Sequence, residues 1–141
     1  MLTIYPACFF KEDNGYSVVF PDLNYIATCG DTLDNAMEMA VDCLAGHVHF
    51  AAMENDTLPP PSGIKDIDPE EVARTLEFDS DEFFVNMVAV DVDEYAKTHF
   101  DRPVKKNLTI PAWLNDTALN NGINFSAVLQ EALKERLGIT R

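Results

Sequence analysis

Lys105, Asn107 and Thr109 recur at every second position near the end of the chain. On an extended segment that spacing puts all three on one face. Their side chains suit base edges in a DNA major groove: lysine for guanine, asparagine for adenine, and threonine for a hydrogen-bonding edge or the thymine methyl. The plain alternative is a solvated strand face, or a strand edge guarded by lysine. Asn124, Phe125 and Ser126 open a later helix, where Asn124 suits the cap and free amides at the positive helix end suit phosphate. Cys43 and His47 lie four residues apart, a spacing that can hold a metal on a helix, yet no further ligand follows at a recognisable spacing, so no metal is expected. Asp22 and Asp31 are the only carboxylates that suggest a pair. Metal-assisted hydrolysis needs several converging on core strands. No catalytic residue, enzyme activity or cofactor is therefore expected.

The elements that must position the alternating residues are short. Val104–Ile110 reads as a half-buried strand, with Leu108 and Ile110 on the face opposite Lys105, Asn107 and Thr109. Lys106 falls on the inner face and is expected to snorkel to a phosphate backbone. Pro111 ends the strand and suits a helix start. Asn121-Gly122 marks a turn. Phe125, Val128, Leu129, Ala132, Leu133 and Leu137 then follow one helical face, and Gly138 ends it. About 35 residues cannot bury a core alone. Two copies solve the problem by pairing their strands antiparallel and packing four helices, with Leu108, Ile110, Val128, Leu129 and Leu133 at the centre. This order resembles the ribbon-helix-helix class of DNA-binding proteins. The resemblance implies base contacts by Lys105, Asn107 and Thr109 and phosphate contacts by Lys106, Asn124, Phe125 and Ser126. It also implies a homodimer, or a dimer of dimers, on operator double-stranded DNA.

Charge divides the chain. The 141 residues carry a net −14 and are 47% hydrophobic with nine Phe, enough for one compact domain and a small appendage. From residue 102 onward, six basic side chains (Arg102, Lys105, Lys106, Lys134, Arg136, Arg141) face three acidic ones (Asp116, Glu131, Glu135), a net of +3, which leaves −17 on residues 1–101. The basic tail suits a polyanion, and the acidic body suits a basic partner. No apolar run is long enough for a membrane span, and no signal peptide is expected. Three irregularly spaced cysteines point to reduced thiols in a cytoplasm.

Ahead of the tail, the pattern predicts strands over 2–10, 16–20 and 25–29, the first two joined at Asn14-Gly15. A long helix starts at Asp31 or Thr32 and buries Leu33, Ala36, Met37, Ala40, Val41, Leu44, Val48 and Ala51 on the sheet. Pro59-Pro60-Pro61 opens a stiff loop. Asp68-Pro69-Glu70-Glu71 starts a short helix, residues 83–92 form a fourth strand, and residues 93–97 form one more helical turn. The fold class is α+β: a body over 1–97 with an antiparallel or mixed sheet under one long helix, a linker over 98–103, and a dimerising unit over 104–141.

The text of the body carries a second resemblance. Tyr5-Pro6-Ala7, then Gly15 to Phe20 running into Pro21-Asp22-Leu23, then Gly30-Asp31-Thr32 before a helix with Ala36, together with Pro59-Pro60-Pro61-Ser62, resemble the HicB antitoxin family. That resemblance implies a partial RNase H-like body joined to a DNA-binding module. It implies a small, basic, RNA-cleaving HicA toxin as partner and repression of the protein's own operon. Asp22, Asp31, Asp34 and Glu38 are then the candidate toxin contacts. The family often has Pro-Gly-Cys after the Pro-Asp-Leu mark and Gln before the Gly-Asp-Thr mark, where this chain has Asn24-Tyr25-Ile26 and Cys29. Two other readings compete: an acidic interaction module whose tail only dimerises, and a weak RNase H-like nuclease.

Overall fold

Six consecutive residues of the first strand, Tyr5 to Phe10, are buried, which requires cover on both faces of its sheet. A computed structural model describes residues 1–101 and 103–139 and shows how that cover is built. Arg102, Thr140 and Arg141 lie outside the described residues. So do the charges counted at Arg102 and Arg141, part of the expected linker, and the end of the expected dimerising unit. The chain divides into two compact units, Met1–Arg102 and Pro103–Arg141.

In the first unit, β1 (Leu2–Glu12), β2 (Gly15–Phe20), β3 (Ile26–Gly30) and β4 (Phe83–Asp91) form one sheet in the order β3-β2-β1-β4. Every pairing is antiparallel, which decides between the antiparallel and mixed sheets expected. Glu12 pairs with Gly15, so the hairpin turn is Asp13-Asn14, one residue earlier than the Asn-Gly signal suggests. Gly15 sits at φ 142°, and a Cβ there would lie 2.1 Å from the Gly30 carbonyl oxygen. Glycine is what lets the ends of β2 and β3 approach this closely.

Helix α1 (Leu33–Met53) crosses one face of the sheet. The Thr32 hydroxyl accepts from the Asn35 backbone nitrogen at 3.1 Å, and Asn35 Oδ1 accepts in return from the Asp31 nitrogen at 3.0 Å, a reciprocal cap. Ala36, Ala40, Leu44 and Ala45 bury against Tyr5, Ala7, Phe9, Val18, Phe20, Val88 and Val90. Three alanines there bring the helix axis close to the sheet. A Cβ on Gly30 would stand 2.3 Å from the Ala36 nitrogen, so the helix start also rests directly on the end of β3. Leu33, expected on the buried face, is the first residue of the helix and is 43% exposed; Ala45 was not expected and is fully buried.

The other face is covered by α2 (Pro69–Leu76), not by the long helix. Asp68 caps it, its carboxylate accepting from the backbone nitrogens of Glu70 and Glu71. Val72 and Ala73 pack with Cys8, Phe10 and Val19, and Phe10 lies against Phe78 and Phe83 at centroid distances of 5.1 and 6.0 Å. Burying Phe10 in full stabilises the fold by roughly 1.5–3 kcal/mol. Helix α3 (Val92–His99) is longer than the single turn expected and includes Thr98 and His99, the first residues expected to be linker. Asp91 caps it through the Glu94 nitrogen, and Ala96 is buried, so local capping and packing carry the helix on.

Candidate nucleic-acid and protein interfaces

The second unit contains two helices, α4 (Ala112–Asn120) and α5 (Phe125–Leu137). Pro111 stands at the cap of α4, Gly122 turns the chain at φ 65°, and Gly138 closes α5 at φ 71°. Asn124 Oδ1 accepts from the Ala127 nitrogen at 3.1 Å. The first-turn amides at Phe125 and Ser126 have no acceptor within their own helix by the geometry of a helix start.

The expected strand over 104–110 is not present: those residues form no ladder. A strand needs a second strand to pair with, and the described part of this unit contains none. Lys105, Lys106, Asn107 and Thr109 are all exposed, so the division into an outward and an inward face does not appear within one chain. Leu108 is 66% exposed, Ile110 41%, Val128 49% and Leu133 51%, while Leu129 is half-buried. No described residue from 103 to 139 is buried. A unit with this many bare apolar side chains lacks a core of its own.

The acidic candidates on the body separate into two groups. Asp31, Asp34 and Glu38 are exposed, at the start and along one stripe of α1. Asp22, in a single 3-10 turn over Pro21–Leu23, is not free: its two oxygens accept from the Ser62 backbone nitrogen and hydroxyl, each at 2.7 Å. It ties the proline loop to the body, and the Tyr5 hydroxyl donates to the Pro59 carbonyl beside it. The next residues, Asn24 (φ 55°) and Tyr25 (φ 59°), both adopt the left-handed conformation.

Cys43 is half-buried, and burial, with Asp42 adding to it, pushes its thiol above the usual value. Among the described residues no group of three His, Cys, Asp or Glu side chains is placed to hold a metal. His47 instead lines a cleft of about 290 Å³ between the carboxyl end of α1 and the Asp22 turn, together with Asn24, Phe50, Asp56 and Leu58. Sequence reading missed Phe50 and Asp56. An aromatic residue set off the apolar face of α1 was the available signal for the first, and no periodicity marks the second.

Fold and surfaces define an α+β protein in two units: an acidic, fully cored body and a basic helical pair whose apolar side chains lie bare. The chain belongs to the HicB-like antitoxin family of bacterial toxin-antitoxin systems, whose family model matches residues 5–130. A chain from a toxin-antitoxin complex of Streptococcus pneumoniae is 34% identical and superposes with a TM-score of 0.65, covering 96% of this chain and 99% of that one. The antitoxin HicB of Burkholderia pseudomallei, 20% identical with a TM-score of 0.52 over 96% of this chain and 98% of that one, shares the fold. An uncharacterised 14.9 kDa protein of Haemophilus phage HP1 is 31% identical over 112 residues, 79% of this chain and 75% of its own. Antitoxin HicB 1 of Photorhabdus laumondii is 40% identical over 53 residues, which span 38% of this chain and 34% of that protein. The family sets the chain among antitoxins, regulators that act by binding. Among the described residues no helix is long and apolar enough to cross a membrane.

Proposed function

We propose that the acidic body binds and neutralises a HicA-type RNA-cleaving toxin, and that the second unit makes the chain a homodimer that binds operator DNA and represses its own operon. The observation that carries this reading is the second unit itself: basic, without a buried residue among those described, and led by an exposed segment bearing Lys105, Asn107 and Thr109. Pairing two such segments supplies the missing ladder and joins the bare faces of α4 and α5 into one core. The paired ribbon then enters the major groove with Lys105, Asn107 and Thr109 toward the bases, while Lys106 and the α5 start at Asn124, Phe125 and Ser126 hold phosphates. Asp31, Asp34 and Glu38 present the charge that a basic toxin meets.

Charge adds a mechanism. A dimer carries twice the chain's −14, and its repulsion from DNA is screened only beyond about 10 Å at ordinary salt. A bound basic toxin offsets that charge, so the toxin–antitoxin complex should bind the operator more tightly than the antitoxin alone. Band shifts with the DNA upstream of the gene test both ideas. The wild-type chain should shift it, a Lys105→Ala, Asn107→Ala, Thr109→Ala variant should not, and added toxin should lower the concentration needed. Equal shifts by wild type and triple variant rule out readout by the ribbon.

A further inference from the structure

The cleft at the carboxyl end of α1 has a chemistry of its own. One wall is Phe50, 60% exposed in the last turn of a 21-residue helix, with Ala51 beside it and Leu58 across. Two carboxylates, Asp22 and Asp56, line it, and no Lys or Arg does. The helix end itself carries partial negative charge from its last carbonyls and favours a cation, yet α1 has no basic side chain in its last turn to meet it. Asp22 is already oriented, because Ser62 holds both of its oxygens. The cleft volume of about 290 Å³ lies at the small end for cofactor pockets and suits a single side chain.

We infer that this cleft receives an arginine side chain of the basic toxin, an inference that rests on the toxin-binding reading above. A guanidinium is flat enough to stack on the Phe50 ring, and it can donate paired hydrogen bonds to the Asp56 carboxylate. An anion is excluded, since it would face Asp22, Asp56 and the negative end of α1 together. The contact differs from the exposed stripe of Asp34 and Glu38, which supplies long-range attraction: the cleft supplies a desolvated anchor of the kind that dominates interface affinity.

Calorimetry of the full chain with a HicA-type toxin tests the inference. Phe50→Ala and Asp56→Asn should each weaken toxin binding at least tenfold. Asp79→Asn, which removes the same charge outside the cleft, should leave it within twofold. Unchanged affinity in Phe50→Ala and Asp56→Asn, or an equal loss in Asp79→Asn, overturns the anchor, while wild-type binding keeps the toxin reading intact. Should the wild-type chain bind no toxin, that reading has failed and a second measurement decides on the cleft. N-acetylarginine amide is titrated into the 15N-labelled full chain. Shifts at the amides of Phe50, Ala51 and Asp56 that vanish in Asp56→Asn uphold a guanidinium site, and their absence overturns it.

Discussion

The Tyr95 hydroxyl donates to Asp42 Oδ1 at 2.8 Å, joining α3 to the middle of α1. Burial, the bond to Asp42, and the charges of Asp42 and Glu38 push its phenol up to about 12 from an ordinary 10.0. The neutral phenol is the form the fold favours. Unfolding releases a tyrosine that ionises near 10, so the stabilisation is whole below pH 10 and is lost as pH rises toward 12. Urea unfolding at pH 9 and pH 11 should show wild type losing more stability than Tyr95→Phe over that step. An equal loss would remove Tyr95 as the source.

Asp22 and Ser62 hold the proline loop to the body across forty residues of sequence. Asp22→Ala removes both bonds and should cost about 2 kcal/mol, while Ser62→Ala keeps the backbone donor and should cost about 1 kcal/mol. Denaturant midpoints at constant slope measure both. The order of the two variants is the part that matters, since a carboxylate left without partners in water would give no difference.

Thiol reactivity should separate the cysteines. Cys29 is exposed on β3, whereas Cys8 is fully buried on β1, and burial, helped by the Asp68 charge, pushes its thiol up to about 11. A thiol-reactive chromophore at pH 8 should label Cys29 within the mixing time of a native sample and Cys8 only after unfolding. Labelling of Cys8 in native protein would show that the α2 side of the sheet opens readily.

A charge on the bare face of the second unit tests the proposed dimer. Val128→Asp and Leu133→Asp each bury an unpaired carboxylate if two copies pack there, a penalty of several kcal/mol. Sedimentation equilibrium should find wild-type dimers and monomeric variants. Circular dichroism should show the helices of the second unit lost while the body, whose core is elsewhere, still melts cooperatively.

Tyr25 holds a left-handed conformation at φ 59° where glycine has no steric cost. Tyr25→Gly should stabilise the body by up to about 1 kcal/mol, the strain a side chain brings to that region. A thermal midpoint that falls instead would mean the Tyr25 ring, 42% exposed, packs well enough to outweigh the strain.

What could be read from the chain alone was what has a local cause. Asp31 or Thr32, Asp68 and Asn124 announced their helices because a cap is a bond across two or three residues, and Thr32 is the one that caps α1. The long apolar face of α1 and the run from Leu2 to Phe10 announced burial because period and composition are local as well, and the burial holds from Tyr5 onward while Leu2 and Ile4 are exposed. The family's marks, from Pro21-Asp22-Leu23 to Gly30-Asp31-Thr32, are equally continuous in sequence. Tertiary structure decided what depends on distant partners: that α2 rather than α1 covers Cys8 and Phe10, that Asp22 turns to Ser62, and that Phe50 and Asp56 share a cleft. The segment over 104–110 marks the boundary between the two. Its alternation is a property of the sequence, but a strand exists only through hydrogen bonds to a neighbour, and the described residues of its own unit offer none.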